Sequence, residues 1–154
     1  MKPLVLFLSL LWRTMVLYFA LALAVLIGIA SLSALGFELL PPELAANVNF
    51  IKLKPTLAYA AFALFLLCGE FGLHINAVRL IAGGRLNLPP PSWRQYLVGL
   101  AVLLVVLAVL NAVVAATVSV ETWLSYRLFG ALGLLLLGIY VLALRLLKLG
   151  RRGL

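Results

Sequence analysis

Charged side chains are scarce in this sequence, and acidic ones are the scarcest. Only 10% of the 154 residues are charged, and the four acidic residues are all glutamates. A soluble domain carries about 25% charged residues, so this chain has too few to cover a water-facing surface. Because 66% of its residues are hydrophobic, we expect lipid to be the solvent around most of the chain.

Residues that bind metals or form disulfides are also nearly absent. Cys68 is the only cysteine and His74 the only histidine. A single cysteine excludes a disulfide within the chain, and these two residues with Glu70 do not make a metal site. The sequence shows no nucleophile–base pair, phosphate-cradling loop or paired carboxylates. We therefore expect no metal, no cofactor and no enzymatic activity.

Long apolar runs are what the sequence does contain. A membrane-spanning helix needs about 20 apolar residues, and four stretches satisfy this: Thr14–Leu35, Thr56–Asn76, Gln95–Thr117 and Trp123–Leu147. They predict an all-α, polytopic bundle of four transmembrane helices, with residues 1–154 forming a single integral membrane domain.

The N-terminal segment has two possible placements. Residues 3–12 are apolar but too short to span a membrane alone, and Arg13 would be costly at mid-membrane. We place Trp12 and Arg13 at an interface, so that the preceding residues either lie in the headgroup plane or extend the first helix. The segment lacks a small-residue cleavage site, so we expect no cleaved signal peptide.

The basic residues predict the orientation. One side would hold the termini and the loop between the second and third spans, and the other side the remaining connections. The first side then holds nine basic residues: Lys2, Arg13, Arg79, Arg85, Arg94, Arg145, Lys148, Arg151 and Arg152. The second side holds three: Lys52, Lys54 and Arg127. By the positive-inside rule both termini are cytoplasmic. Cations at the ends of apolar runs indicate contacts with lipid headgroups. Nucleic-acid binding would need a broad basic face with stacking aromatics, and the sequence shows none.

Two irregular stretches separate the spans, Gly36–Pro55 and Gly83–Arg94. The second contains three consecutive prolines, which we expect to exclude a helix until about Gln95. Similar pairs, Trp12–Arg13 and Trp93–Arg94, precede the first and third spans and suggest two tandem helical hairpins in parallel orientation. Chance likeness between apolar helices is the alternative interpretation.

Glu70 and His74 are the most chemically distinctive pair. Spaced four residues apart on a helix, they would share a face and could hydrogen-bond. The pair could form a proton-responsive or polar-ligand site, because a carboxylate inside a span is costly. The alternative is structural: Glu70 lies about one turn from the interface, where His74 or Arg79 could satisfy it or where its carboxyl group could be neutral.

Asn111 and Arg127 are predicted to lie at similar depth in antiparallel neighbours. Their side chains could hydrogen-bond as a clamp, or Arg127 could extend outward to a lipid phosphate or Glu121. With Lys52 and Lys54, Arg127 could also form a patch that binds phosphate headgroups. Equally, these lysines could pair with Glu38, Glu43 and Glu121. Trp93 and Trp123 stand where an interfacial aromatic belt would place them.

Four strings in this sequence resemble the bacterial intracellular septation protein A family. They are FIKLKPTLAYAAFALFLL (Phe50–Leu67), GRLNLPPPSW (Gly84–Trp93), LAVLN (Leu107–Asn111) and SVETWLSYRLFGALGL (Ser119–Leu134). Their order and spacing are similar to the family pattern over about residues 50–147. Residues 1–49 do not match, and the chain is shorter by about one span than the five-span form usual in the family.

The resemblance implies an inner-membrane protein that supports envelope integrity, septation and cell elongation through envelope-synthesis or division proteins. It implies no catalytic residues. On the matched positions, shared structural or interaction roles are expected at Lys52, Lys54, Trp93, Asn111, Trp123, Arg127 and Gly130. The alternatives are a small transporter or phospholipid-handling protein, and an accessory subunit of a larger membrane complex. The sequence does not indicate an oligomeric state.

Overall fold

The computed structural model describes residues 3–35, 43, 46–82 and 89–152, and all its regular elements are helical. The α-helices are α1 (Pro3–Ala34), α2 (Val48–Leu67), α3 (Ala77–Ala82), α4 (Pro90–Thr117), α5 (Val120–Ser125) and α6 (Leu132–Arg152). Two π-helical turns interrupt them: π-turn 1 (Cys68–Gly72) follows α2, and π-turn 2 (Tyr126–Ala131) joins α5 to α6.

Four of these continuous helical segments are long and apolar enough to cross a membrane. They are Pro3–Ala34, Val48–Gly72, Pro90–Thr117 and Val120–Lys148. The prediction of an all-α bundle with four transmembrane helices is thereby confirmed. We call the end where α2 finishes, α4 begins and α6 finishes the basic end. The opposite end, with the short Val118–Ser119 connection, is the hairpin end.

The first helix begins earlier than the span predicted from Thr14. α1 starts at Pro3, so residues 3–12 extend the helix rather than lying apart from it. Leu6, Leu10, Thr14 and Leu17 are its buried residues, and they fall at helical spacing on one face. This face packs against α6 and α3. Burial of that stripe explains why the apolar N-terminal segment joins the helix.

The third helix also begins earlier than predicted, because prolines suit a helix start. α4 begins at Pro90, with Pro89 as its N-cap. Proline at the first positions of a helix costs no hydrogen bond, since those N–H groups have no partner inside the helix. The expectation that the proline run excludes a helix until Gln95 was therefore wrong. Of the preceding loop, residues 83–88 lie outside the described part of the chain.

The second helix is shifted towards the N-terminus relative to the predicted span. Asn47 caps α2, and its side chain accepts hydrogen bonds from the N–H groups of Asn49 and Phe50. Such a cap satisfies N–H groups that the first turn leaves free, so the helix includes Val48–Pro55, which we had assigned to a loop. At the other end the α-helix stops at Leu67 and π-turn 1 follows.

The core lies along α4, which packs against α2 on one side and α6 on the other. Two glycines let α4 and α6 approach closely: a Cβ at Gly99 would collide with Leu142, and one at Gly138 would collide with Leu103. Small residues serve this purpose in membrane helices. The two tryptophans matched by the proposed internal repeat differ in environment, because Trp93 is buried while Trp12 is exposed.

Candidate functional site

Asn111 is the centre of a buried polar cluster at the hairpin end. Its side chain is only 1% exposed. Its Nδ2 donates to the carbonyl oxygen of Lys52 at 3.0 Å and to Oγ1 of Thr56 at 2.8 Å. Its Oδ1 accepts from Nε1 of Trp123 at 3.2 Å. We call Lys52, Thr56, Asn111 and Trp123 the Asn111 cluster, which joins α2, α4 and α5.

A proline interrupts the hydrogen bonding of α2 beside the Asn111 cluster. Pro55 lies inside the helix and has no N–H to bind the carbonyl of Ile51. The donors of Asn111 reach the next carbonyl, that of Lys52, and the hydroxyl of Thr56. Asn111 therefore ties α4 to the turn of α2 that the proline interrupts, and does not replace the bond that the proline removes.

The ammonium group of Lys52 caps the C-terminus of α4. It donates to the carbonyl oxygens of Val118 at 2.7 Å and Ala115 at 3.3 Å, and the residue is only 6% exposed. The last carbonyls of a helix carry partial negative charge and lack partners within the helix. Within the described part of the chain, Lys52 is therefore held by backbone oxygens and not by a glutamate, and its burial removes it from a headgroup patch. Glu38, one of the predicted partners, lies outside the described residues.

The predicted Asn111–Arg127 clamp was wrong in its partner. The indole of Trp123, one turn before Arg127, takes the bond that we had assigned to the guanidinium. Arg127 is exposed and stacks on the Trp123 ring, with Cζ 5.6 Å from the ring centroid. Lys54 is likewise exposed, with Nζ 5.7 Å from the centroid of Phe50. Trp123 is thus a buried hydrogen-bond donor rather than an interfacial anchor.

At the basic end, Glu70 bonds to Asn76 and not to His74. Oε2 of Glu70 accepts from Nδ2 of Asn76 at 2.7 Å, and Oδ1 of Asn76 accepts from the N–H of Arg79 at 2.9 Å. The predicted i,i+4 pair is absent because π-turn 1 and the bend after it end the regular helix before His74. His74 has a positive φ of 56° and is exposed.

These residues line an open groove of about 480 Å³ at the basic end, which we call the Glu70 groove. Its polar lining consists of Glu70, His74, Asn76 and Arg79, with Pro90 and Trp93 among its other lining residues. Trp93 is 1% exposed, so it packs in the core instead of standing at an interface. Next to it, Arg94 stacks on Phe71 with Cζ 4.8 Å from the ring centroid, joining α4 to π-turn 1.

Two features of these sites escaped the sequence-based interpretation. Thr56 was not singled out, although it stands in the FIKLKPT string. The hydroxyls of Thr14 and Tyr96 form a buried hydrogen bond of 3.0 Å between α1 and α4, and no local pattern signals it. Among the described residues, no group of three His, Cys, Asp or Glu side chains could hold a metal ion.

Comparison with known proteins places this chain in a family. The family model described as intracellular septation protein A matches residues 43–151, a range that contains both the Asn111 cluster and the Glu70 groove. The whole of α1 precedes the match. No solved structure matches the chain.

Several relatives carry the name inner membrane-spanning protein YciB. That of Cupriavidus metallidurans is 39% identical over 93 residues, covering 60% of this chain and 52% of the relative. That of Paraburkholderia phymatum is 38% identical over 93 residues, covering 60% and 53%. That of Herminiimonas arsenicoxydans is 33% identical over 102 residues, covering 66% and 50%. The chain thus spans about half the length of these relatives. It is a multi-pass inner-membrane protein, and it belongs to the intracellular septation protein A family.

Proposed function

We propose that this chain is a non-enzymatic membrane protein that supports envelope maintenance, septation and cell division through protein–protein contacts on its cytoplasmic side. The observation that carries the proposal is the Glu70 groove. It presents polar side chains at an open surface, at the end of the bundle that the positive-inside rule assigns to the cytoplasm. The family's description, which refers to septation, agrees with this role.

The hairpin end is less suited to partner binding or chemistry. The polar groups of Lys52, Asn111 and Trp123 are bonded to one another or to backbone carbonyls. A buried polar network with its members satisfied stiffens and specifies a structure. This arrangement supports a structural role for the Asn111 cluster and leaves the Glu70 groove as the better candidate for binding.

The composition of the core argues against the transporter alternative. Between Tyr96 and Asn111, α4 buries only apolar residues: Leu97, Leu100, Ala101, Leu104, Leu107 and Ala108. This distance is about 22 Å at 1.5 Å per residue. A polar path through the bundle would need polar side chains along that stretch. Its apolar character supports a protein that acts through its surface.

Site-specific photocrosslinking in living cells tests the proposal. A benzophenone amino acid at Leu80, an exposed residue lining the groove, is compared with one at Leu128, an exposed leucine in π-turn 2. We expect Leu80 to yield adducts with envelope-synthesis or division proteins, and Leu128 to yield none of them. Arg79→Glu, which reverses a charge of the groove, is expected to remove these adducts and to impair septation.

Adducts that are the same at both positions, or that persist in Arg79→Glu, would contradict the proposal.

A second test addresses the proline run at the start of α4. Replacement of Pro89, Pro90 and Pro91 by alanine changes the connection beside the groove. Normal septation in that variant would exclude the run itself as part of the docking surface.

A further inference from the structure

A second groove, separate from both sites above, lies between α4 and α6 at the basic end. Its volume is about 660 Å³, within the range of about 300–1,000 Å³ typical of ligand sites. Val98 and Val102 of α4 and Leu142 of α6 supply apolar walls, while Gln95, Arg145 and Lys148 supply polar groups. Gly99 forms part of the floor, where Leu142 rests against the α4 backbone.

The lining changes from apolar to cationic along the helix axes. Val102 lies about 10 Å deeper than Gln95, at 1.5 Å per residue. Because α6 is antiparallel to α4, Leu142 lies at the apolar depth and Lys148 nearer the end of the bundle. This order matches an amphiphile whose charged head faces the membrane surface and whose chain runs towards the membrane interior.

The charge of the groove selects the head group. Arg145 and Lys148 are three residues apart on α6 and therefore share a face. Both are exposed, and none of the described residues that line the groove is acidic. Two cations without a nearby carboxylate favour a phosphate with net negative charge, whereas the ammonium group of a zwitterionic lipid would meet like charge.

We propose that the α4–α6 groove binds an anionic phospholipid, with its phosphate at Arg145 and Lys148 and an acyl chain along Val98, Val102 and Leu142. The site stands at the basic end, where the positive-inside rule places the cytoplasmic leaflet. The inference is independent of protein docking at the Glu70 groove, because it uses different residues and a different ligand.

Native mass spectrometry of the full chain tests the charge requirement. The protein is offered equal amounts of phosphatidylglycerol and phosphatidylcholine in mild detergent. The variant R145Q/K148Q removes both groove cations, and K54Q/R127Q removes two exposed cations elsewhere, so that the net charges are equal. We expect the parent to retain phosphatidylglycerol selectively, R145Q/K148Q to bind it about 30-fold more weakly, and K54Q/R127Q to bind it as the parent does.

A second pair of variants tests the groove itself while keeping every charge. Val102→Trp fills the apolar part, and Val109→Trp places the same ring two turns further along the same face of α4. The two valines are 58% and 57% exposed, so neither substitution disturbs the core. We expect Val102→Trp to lose retained phosphatidylglycerol and Val109→Trp to keep it.

Three results would overturn the assignment: equal retention of the two lipids by the parent, equal loss from both charge-matched variants, or unchanged retention in Val102→Trp. Thermal unfolding of each variant in the same detergent shows whether it is folded. The site is supported if the groove variants unfold like the parent but lose phosphatidylglycerol, while the control variants retain it.

Discussion

At the residue scale, the amide of Asn111 joins α4 both to α2, more than fifty residues earlier in the sequence, and to the neighbouring α5. It bonds to the turn of α2 around Pro55 and to the indole of Trp123. Lys52 adds a fourth connection, because its ammonium holds the last carbonyls of α4. In a membrane the unfolded helices remain helical, so cross-helix bonds of this kind determine how the helices are arranged.

Replacing Asn111 tests the importance of this arrangement. Asn111→Ala leaves the Trp123 N–H without its acceptor and removes both donors to α2. Hydrogen bonds between membrane helices contribute about 0.6 kcal/mol on average and up to about 1.7, so we expect the three bonds to contribute about 2 kcal/mol. Unfolding in a detergent titration measures this, with exposed Val113→Ala as the control. A loss no larger than that of the control would contradict the structural role.

The two lysines of the FIKLKP string are expected to differ in how much they stabilise the fold. Lys52→Met keeps an unbranched side chain but removes the ammonium that caps α4, and a charge in a favourable, partly buried position at a helix terminus is worth up to about 2 kcal/mol. Lys54→Met changes an exposed cation stacked on Phe50 and is expected to cost less than about 0.5 kcal/mol. The same unfolding titration compares them. Equal costs would mean that the Lys52 contacts do not stabilise the fold.

At the scale of elements, the apolar runs predicted the helices, whereas short-range capping decided their ends. Asn47 extends α2 backwards and Pro90 starts α4 five residues early, because each suits the first turn of a helix. π-turn 1 separates Glu70 from His74 and breaks the spacing on which their predicted pairing depended. The partners of Lys52 and Asn111 were not predictable, since they depend on which helices meet.

The close packing of α4 and α6 gives a prediction at this scale. A side chain at Gly138 would collide with Leu103, whereas nothing lies within 4 Å of a Cβ at Gly133 on the same helix. We expect Gly138→Val to destabilise the protein by about 1–3 kcal/mol through overpacking, and Gly133→Val to be nearly neutral. Thermal unfolding in detergent compares the pair. Similar unfolding temperatures would show that the helices separate easily at this contact.

For the whole molecule, the two ends of the bundle differ in whether their polar groups are bonded within the protein or line open grooves. The hairpin end uses the buried polar groups of the Asn111 cluster to hold α2, α4 and α5 together. The basic end keeps a polar groove beside α3 and a cation-lined groove beside α6. Family membership and the four helices were predictable from strings and hydropathy. The grooves were not. The Glu70 groove depends on how π-turn 1, α3 and the start of α4 lie against one another, and the α4–α6 groove joins helices that are distant in the sequence.

This division of roles depends on which end of the bundle faces the cytoplasm. Cysteine labelling measures that orientation. Cys68, the only cysteine, is first replaced by serine. Single cysteines are then introduced at exposed Ser119 at the hairpin end and exposed Leu80 in α3. A membrane-impermeant maleimide is expected to label Ser119→Cys in spheroplasts with intact inner membranes, and Leu80→Cys only after that membrane is permeabilised. The nine-to-three distribution of basic residues predicts this result. The reverse pattern would put both grooves on the periplasmic side and exclude partners or lipids of the cytoplasmic side.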